Sequence, residues 1–165
     1  MTHALDVVAE PKEITSGVRN PKTVAEGLTN VLADTYRLTF KTHAFHWNVE
    51  GPLFFSIHNL TEGQYENMFG AADELAERVR AIGQMAPMTM NQIIENSIIE
   101  DDETSPSAGD MCKILAADHE RVAHRLHALI KVAGEQNDPV TEDLATARAA
   151  FHEQAAWMLK AMTAQ

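Results

Sequence analysis

Apolar residues recur every three or four positions through most of this chain, and that period predicts helices. Val24, Leu28, Val31, Leu38 and Phe45 keep helical spacing from Pro21 to about Trp47. Asn20-Pro21 supplies the start, with Asn as the cap and Pro at the first helical position. Gly51-Pro52 then breaks the chain. Across residues 54 to 83, Ile57, Leu60, Met68, Ala71, Leu75, Val79 and Ile82 lie within about 60° of Ile57 on a helical wheel, and Gly83 is the expected stop. A third helix is expected from about Ala108 to Ala133, ending at Gly134. Asp138-Pro139 repeats the cap-plus-proline signal. It opens a fourth helix running to about Met162, with Val140, Leu144, Ala147, Phe151, Met158 and Met162 as its stripe. The long middle connection carries NQIIENSII, read as one or two helical turns, and then a polar loop, DDETSPSAGD. This pattern predicts an all-α fold: a four-helix bundle over residues 21–165, with a short helix between the second and third helices and residues 1–20 as a flexible tail.

The second helix has an unusual opposite face. Relative to Ile57, His58 lies at about 100°, Glu62 at about 140°, Asp73 at about 160° and Glu77 at about 200°. Tyr65 and Phe69 share that face. Carboxylates on an outward face are ordinarily just solvated. Here a solvated reading would also leave two aromatics exposed beside them, and His46 stands 12 residues upstream as a further ligand type. His58 and Glu62 are one turn apart and can reach one ion, as can Asp73 and Glu77. The two pairs stand roughly 22 Å apart along the axis, so one ion cannot touch both pairs of one helix. An antiparallel copy of the helix about a two-fold axis would set His58 and Glu62 against Asp73 and Glu77 of its partner, making two identical sites. Such a donor set suits a divalent metal: iron, manganese or zinc.

These residues carry a resemblance. His46-Trp47, the FxxxH at 54–58 and the DExAER at 73–78 make the chain similar, over about residues 21 to 163, to the Dps proteins, the mini-ferritins named as DNA-binding proteins from starved cells. The resemblance implies a ferritin-like bundle and a dodecamer enclosing a hollow. It also implies a ferroxidase centre between two-fold-related subunits, at which hydrogen peroxide or oxygen oxidises Fe(II) and protects the cell from oxidative damage. His46, His58 and Glu62 would come from one chain and Asp73 and Glu77 from the other, with Trp47 beside the centre. The family often carries Asp where this chain has Glu62; the longer arm still offers a carboxylate. An ordinary ferritin, whose di-iron site lies inside the bundle on Glu-x-x-His motifs, is disfavoured because the chain contains no such motif.

Composition narrows the picture. The 165 residues suit one domain with a sizeable core. The single cysteine, Cys112, excludes an intrachain disulfide and reads as helix filler. No apolar run reaches transmembrane length, no secretory pattern opens the chain, and the cytoplasm is the expected location. The formal net charge is −11. Up to Lys22 the basic residues Lys12, Arg19 and Lys22 are matched by Asp6, Glu10 and Glu13. Phosphate neutralisation needs a basic excess, so DNA binding is expected to be weak or absent. A nucleoid-compacting DNA binder with secondary metal binding is the alternative reading.

Other residues draw blander readings. His119, His124 and His127 are taken as the polar flank of the third helix, although His124 and His127 could share a metal. His43, three residues before His46, could support that histidine but is taken as a flank residue, and His152 and Trp157 are taken as packing or surface residues. Met68, Met158 and Met162 read as core filler. Asp138, Glu142 and Asp143 suit a helix start; the resemblance offers them a second role, lining pores that admit iron.

Overall fold

The structure is a computed structural model, described for residues 4–102 and 104–164. Five α-helices follow a short 3₁₀ turn at Ala4–Asp6: α1 Pro21–Asn48, α2 Phe54–Ala81, α3 Met90–Asn96, α4 Ala108–Glu135 and α5 Pro139–Ala161. The local signals explain the starts. Asn20 caps α1 by accepting from the Thr23 N–H, and Asp138 caps α5 by accepting from that of Thr141. Thr89 and Gln92 form a reciprocal capping box on α3. Gly83 ends the second helix region at φ +86°, where L side chains are strained. A Cβ there would also meet the Lys12 carbonyl oxygen at 2.0 Å. The Lys12 N–H in turn donates to the Gly83 carbonyl at 2.8 Å.

Ion pairs fix the topology. Lys41 on α1 meets Asp118 on α4 at 2.6 Å, and Asp34 on α1 meets Arg125 on α4 at 2.9 Å. Numbering rises on one helix as it falls on the other, so the two run antiparallel. The short α1–α2 and α4–α5 links make those pairs antiparallel too, leaving α2 parallel to α4 across the long crossover. This is one of the arrangements open to four-helix bundles. Asp34 is fully buried and also accepts from the Ser97 hydroxyl and the Ile98 N–H, so one carboxylate ties the crossover and α4 to α1.

The core is the expected stripes of α1 and α2, with Leu115, Val122, Leu126 and Leu129 from α4 and buried Cys112. Three expectations need correction. The stripe read for α5 is not its buried face: Val140 is 58% exposed and Met158 38%. The helix instead buries Thr141, Ala145, Arg148, Ala149, His152, Ala155, Ala156 and Leu159, small and polar residues whose hydropathy does not advertise a core. Leu144, Phe151 and Met162 pack at its margin. Gly134 does not stop α4, which runs to Glu135; the reversal is made at Asn137, with φ +60°. His119 is not a flank residue: it is fully buried against His152, with their Nδ1 atoms 2.8 Å apart.

Among the described residues no helix is long and apolar enough to cross a membrane.

Candidate metal centre

His46 lies in the last turn of α1 and His58 in the first turns of α2, and the Gly51-Pro52 turn brings them face to face. Their rings stack at 3.7 Å between centroids, 18° from parallel. Each donates from Nδ1 to the other's backbone carbonyl, His46 to His58 at 2.9 Å and His58 to His46 at 3.0 Å. A carbonyl only accepts, so both Nδ1 atoms carry the hydrogen. In the neutral rings both Nε2 atoms therefore keep a lone pair, the form a metal ligand needs. The main chain thus sets both tautomers. Thr61 supports the pair with its hydroxyl 3.5 Å from His46 Nδ1, and Phe54 stacks on the outer face of His58.

An aromatic group walls one side. His43 lies between Tyr65, stacked at 4.0 Å, and Trp47 at 4.1 Å, while Tyr65 meets His46 edge-on at 5.2 Å. His43, expected on a helix flank, joins this wall; its i−3 spacing to His46 was the available signal. The Tyr65 hydroxyl is pushed above its ordinary range by desolvation, then by the negative charges of Glu62 and Glu66.

Glu62 follows His58 by one turn and is half-buried. Trp47 stands at the rim, 57% exposed. Asp73 and Glu77 are exposed toward the other end of α2, so the structure joins His46 to His58, with Glu62 one turn further along α2, and leaves the other two carboxylates apart. Among the described residues no three His, Cys, Asp or Glu of one chain are placed to hold a metal ion. Beside Asp73 lies an apolar groove of about 630 Å³ lined by Tyr36, Phe69, Ala76, Pro87, Met88 and Met90 among others. Phe40, Trp47, Phe55 and Phe69 are all exposed.

Asp138 is committed elsewhere. It is buried, receives Arg78 at 2.6 Å, and accepts from both the backbone and hydroxyl of Thr141. Its carboxylate is therefore not presented to a pore; Glu142 and Asp143 are exposed.

Other buried polar side chains carry no signal in the sequence pattern. Thr42, Gln64, His119 and His152, one from each long helix, are all buried. Several of their polar atoms have no protein partner: Thr42 Oγ1, both Gln64 amide atoms and both histidine Nε2 atoms. No motif links residues so far apart in the chain.

A family model for the ferritin-like domain matches residues 25–165. A protein of Bacillus anthracis, DNA protection during starvation protein 2, is 35% identical over 144 residues, covering 87% of this chain and 99% of its own. The crystal structure of a Dps protein from Bacillus brevis is 34% identical with a TM-score of 0.84, covering 87% of this chain and 97% of its own. The Dps structure from Vibrio cholerae O1, described as a member of a broad superfamily of ferritin-like diiron-carboxylate proteins, is 25% identical with a TM-score of 0.83, covering 88% and 91%.

Proposed function

This chain belongs to the Dps family of ferritin-like proteins, and we propose that it is an iron-oxidising, iron-storing mini-ferritin whose ferroxidase centre is built by two chains. The observation that carries this reading is the reciprocal bonding of His46 and His58, which leaves both imidazole Nε2 lone pairs free, with Glu62 one turn beyond His58 on α2. In the proposed centre these three residues face Asp73 and Glu77 of the partner subunit across a two-fold axis, and an isologous interface makes two such centres. Carboxylates supply hard oxygen donors for both iron oxidation states, and imidazole nitrogen favours iron(II). Zinc and manganese would compete for the same donors.

Iron(II) is the substrate. Two ions give one electron each to hydrogen peroxide, its O–O bond breaks, and two protons complete two waters; oxygen is the alternative oxidant. The ferric product collects inside a closed dodecamer in the cytoplasm. Assembly is supported by the exposed aromatics and the groove beside Asp73, apolar surface of a kind that marks interaction sites. His58→Ala and Asp73→Ala, each made alone, should abolish most of the rapid peroxide-driven oxidation of iron(II), followed by absorbance of the ferric product. Full activity in Asp73→Ala would end the two-chain reading.

DNA compaction is not part of the proposal, although the Bacillus anthracis relative is named for DNA protection. With −11 charges per chain and no basic excess before α1, there is little counterion release to drive binding. A gel shift at physiological salt without divalent metal should show no retardation of duplex DNA at sub-micromolar protein; clear retardation there would reveal a basic patch made by assembly.

A further inference from the structure

We propose that the groove between α4 and α5 holds a second transition-metal site, complete within one chain, in which His124, His127 and Glu153, aided by Glu120, bind a single divalent ion. Glu120, His124 and His127 are spaced i, i+4, i+7 and lie within about 60° of one another on the face of α4. Glu153 projects to them from α5, its Oε1 2.8 Å from His127 Nε2. These four side chains line one open groove of about 570 Å³ together with Trp157 and Lys160.

The donors are two imidazoles and two carboxylates, a set that suits zinc, cobalt, nickel or copper rather than calcium or magnesium. One contact is already made. The hydrogen between His127 Nε2 and Glu153 occupies the place an ion would take, and a shift to the Nδ1–H tautomer exposes the lone pair without loss of a proton. His124 makes no side-chain hydrogen bond among the described residues. In the side-chain rotamers present, no three of these donors are placed to hold one ion, and Glu120 is engaged by Lys160. His127, Glu153 and Lys160 are all more than half exposed, and exposed side chains change rotamer within nanoseconds. Neighbours three and four apart on a helix stand about 5–6 Å apart at Cβ, within reach of a shared ion.

Charge separates this group from the buried His119–His152 pair. The groove carries two carboxylates against one ammonium. The buried pair has no carboxylate of its own and lies near the Arg148 guanidinium, a setting hostile to a cation. The proposed site needs no second copy of the chain, so it is independent of the shared centre.

Trp157 provides the test. The chain has two tryptophans, so Trp47→Phe leaves Trp157 as the sole reporter. Adding His58→Ala and Asp73→Ala removes a donor from each side of the proposed shared centre in the same chain. Cobalt(II) titrated into this variant at neutral pH should quench Trp157 saturably, with one ion per chain and d–d absorption of a nitrogen-ligated ion. Zinc(II) should compete. His124→Ala, His127→Ala and Glu153→Gln should each weaken cobalt binding about tenfold or more, with far-UV circular dichroism unchanged because these positions are exposed. Quenching that is absent, that does not saturate, or that survives unaltered in the double histidine variant would overturn the site.

Discussion

Particles co-expressed from a His58→Ala chain and an Asp73→Ala chain should recover about a quarter of the wild-type oxidation sites, although each parent particle is nearly inactive. The figure follows from two-fold symmetry. In a mixed dimer one centre collects both defects. The other takes its intact His58 from one chain and its intact Asp73 from the other. Random pairing makes about half the dimers mixed, and each regains one of its two centres. The chains must be co-expressed, because finished cages need not exchange subunits. Peroxide-driven iron(II) oxidation by particles of verified mixed composition is the measurement. Mixed particles as inactive as either parent would rule out a shared centre, since a centre built within one chain gives no intact site in any mixture.

A second large effect concerns acid. His119 is held neutral down to about 3, first by burial and then by the charge of Arg148. His152 is lowered by burial, then by His119 and Arg148. A base whose folded value is depressed adds nothing to the pH dependence above its unfolded value of 6.5, because both states are then neutral. Below that value the unfolded chain takes up a proton and the folded chain does not, so stability falls. The loss continues down to about pH 3 for His119. At pH 5 the gap is about 1.5 units, or about 2 kcal/mol from this one histidine. Replacing both rings by leucine removes the buried polar pair together, a change that can be nearly neutral at pH 7. The His119→Leu/His152→Leu variant should therefore resist acid better than wild type. Denaturant midpoints from pH 7 to pH 4.5, at one fixed protein concentration because assembly adds to apparent stability, provide the check. Parallel pH profiles for the two proteins would show that the pair is not the acid-sensitive element.

Both effects bear on what a sequence can disclose. The stripes of α1 and α2 were legible because large aliphatic residues make them and the structure buries them: Leu28, Leu38, Ile57 and Leu75 are essentially inaccessible. The face of α5 was not, because alanines, Thr141, Arg148 and His152 cover it while Val140 and Met158 point outward. A helix that packs through small residues and a polar network leaves little hydropathy signal. The same reason hid His119 and His152, which are 33 residues apart and meet only because α4 and α5 run antiparallel. The donors proposed for the candidate centre came from helical spacing on α2 together with the family resemblance, and the spacing also gives the distance that keeps Asp73 and Glu77 from His58. What spacing could not supply was the tautomer. That comes from two backbone carbonyls, and only the closure of the Gly51-Pro52 turn brings them within reach. Asp138 was correctly read as a cap, yet its partner Arg78, 60 residues earlier, lay beyond any local pattern.

The unbroken run of α2 from Phe54 to Ala81 has a further consequence, best put in terms of phase. His58 and Glu62 ride on the same helix as Asp73 and Glu77, so the relative azimuth of the two pairs is set by the number of residues between them. Fifteen steps of 100° leave Asp73 about 60° around from His58. One residue inserted between Glu62 and Asp73 would advance that angle by about 100° and the axial offset by only about 1.5 Å. The helix could remain whole and each half keep its own residues. Every centre formed with a like copy would nevertheless fall out of step at once, because in a symmetric pair the same phase error enters from both chains.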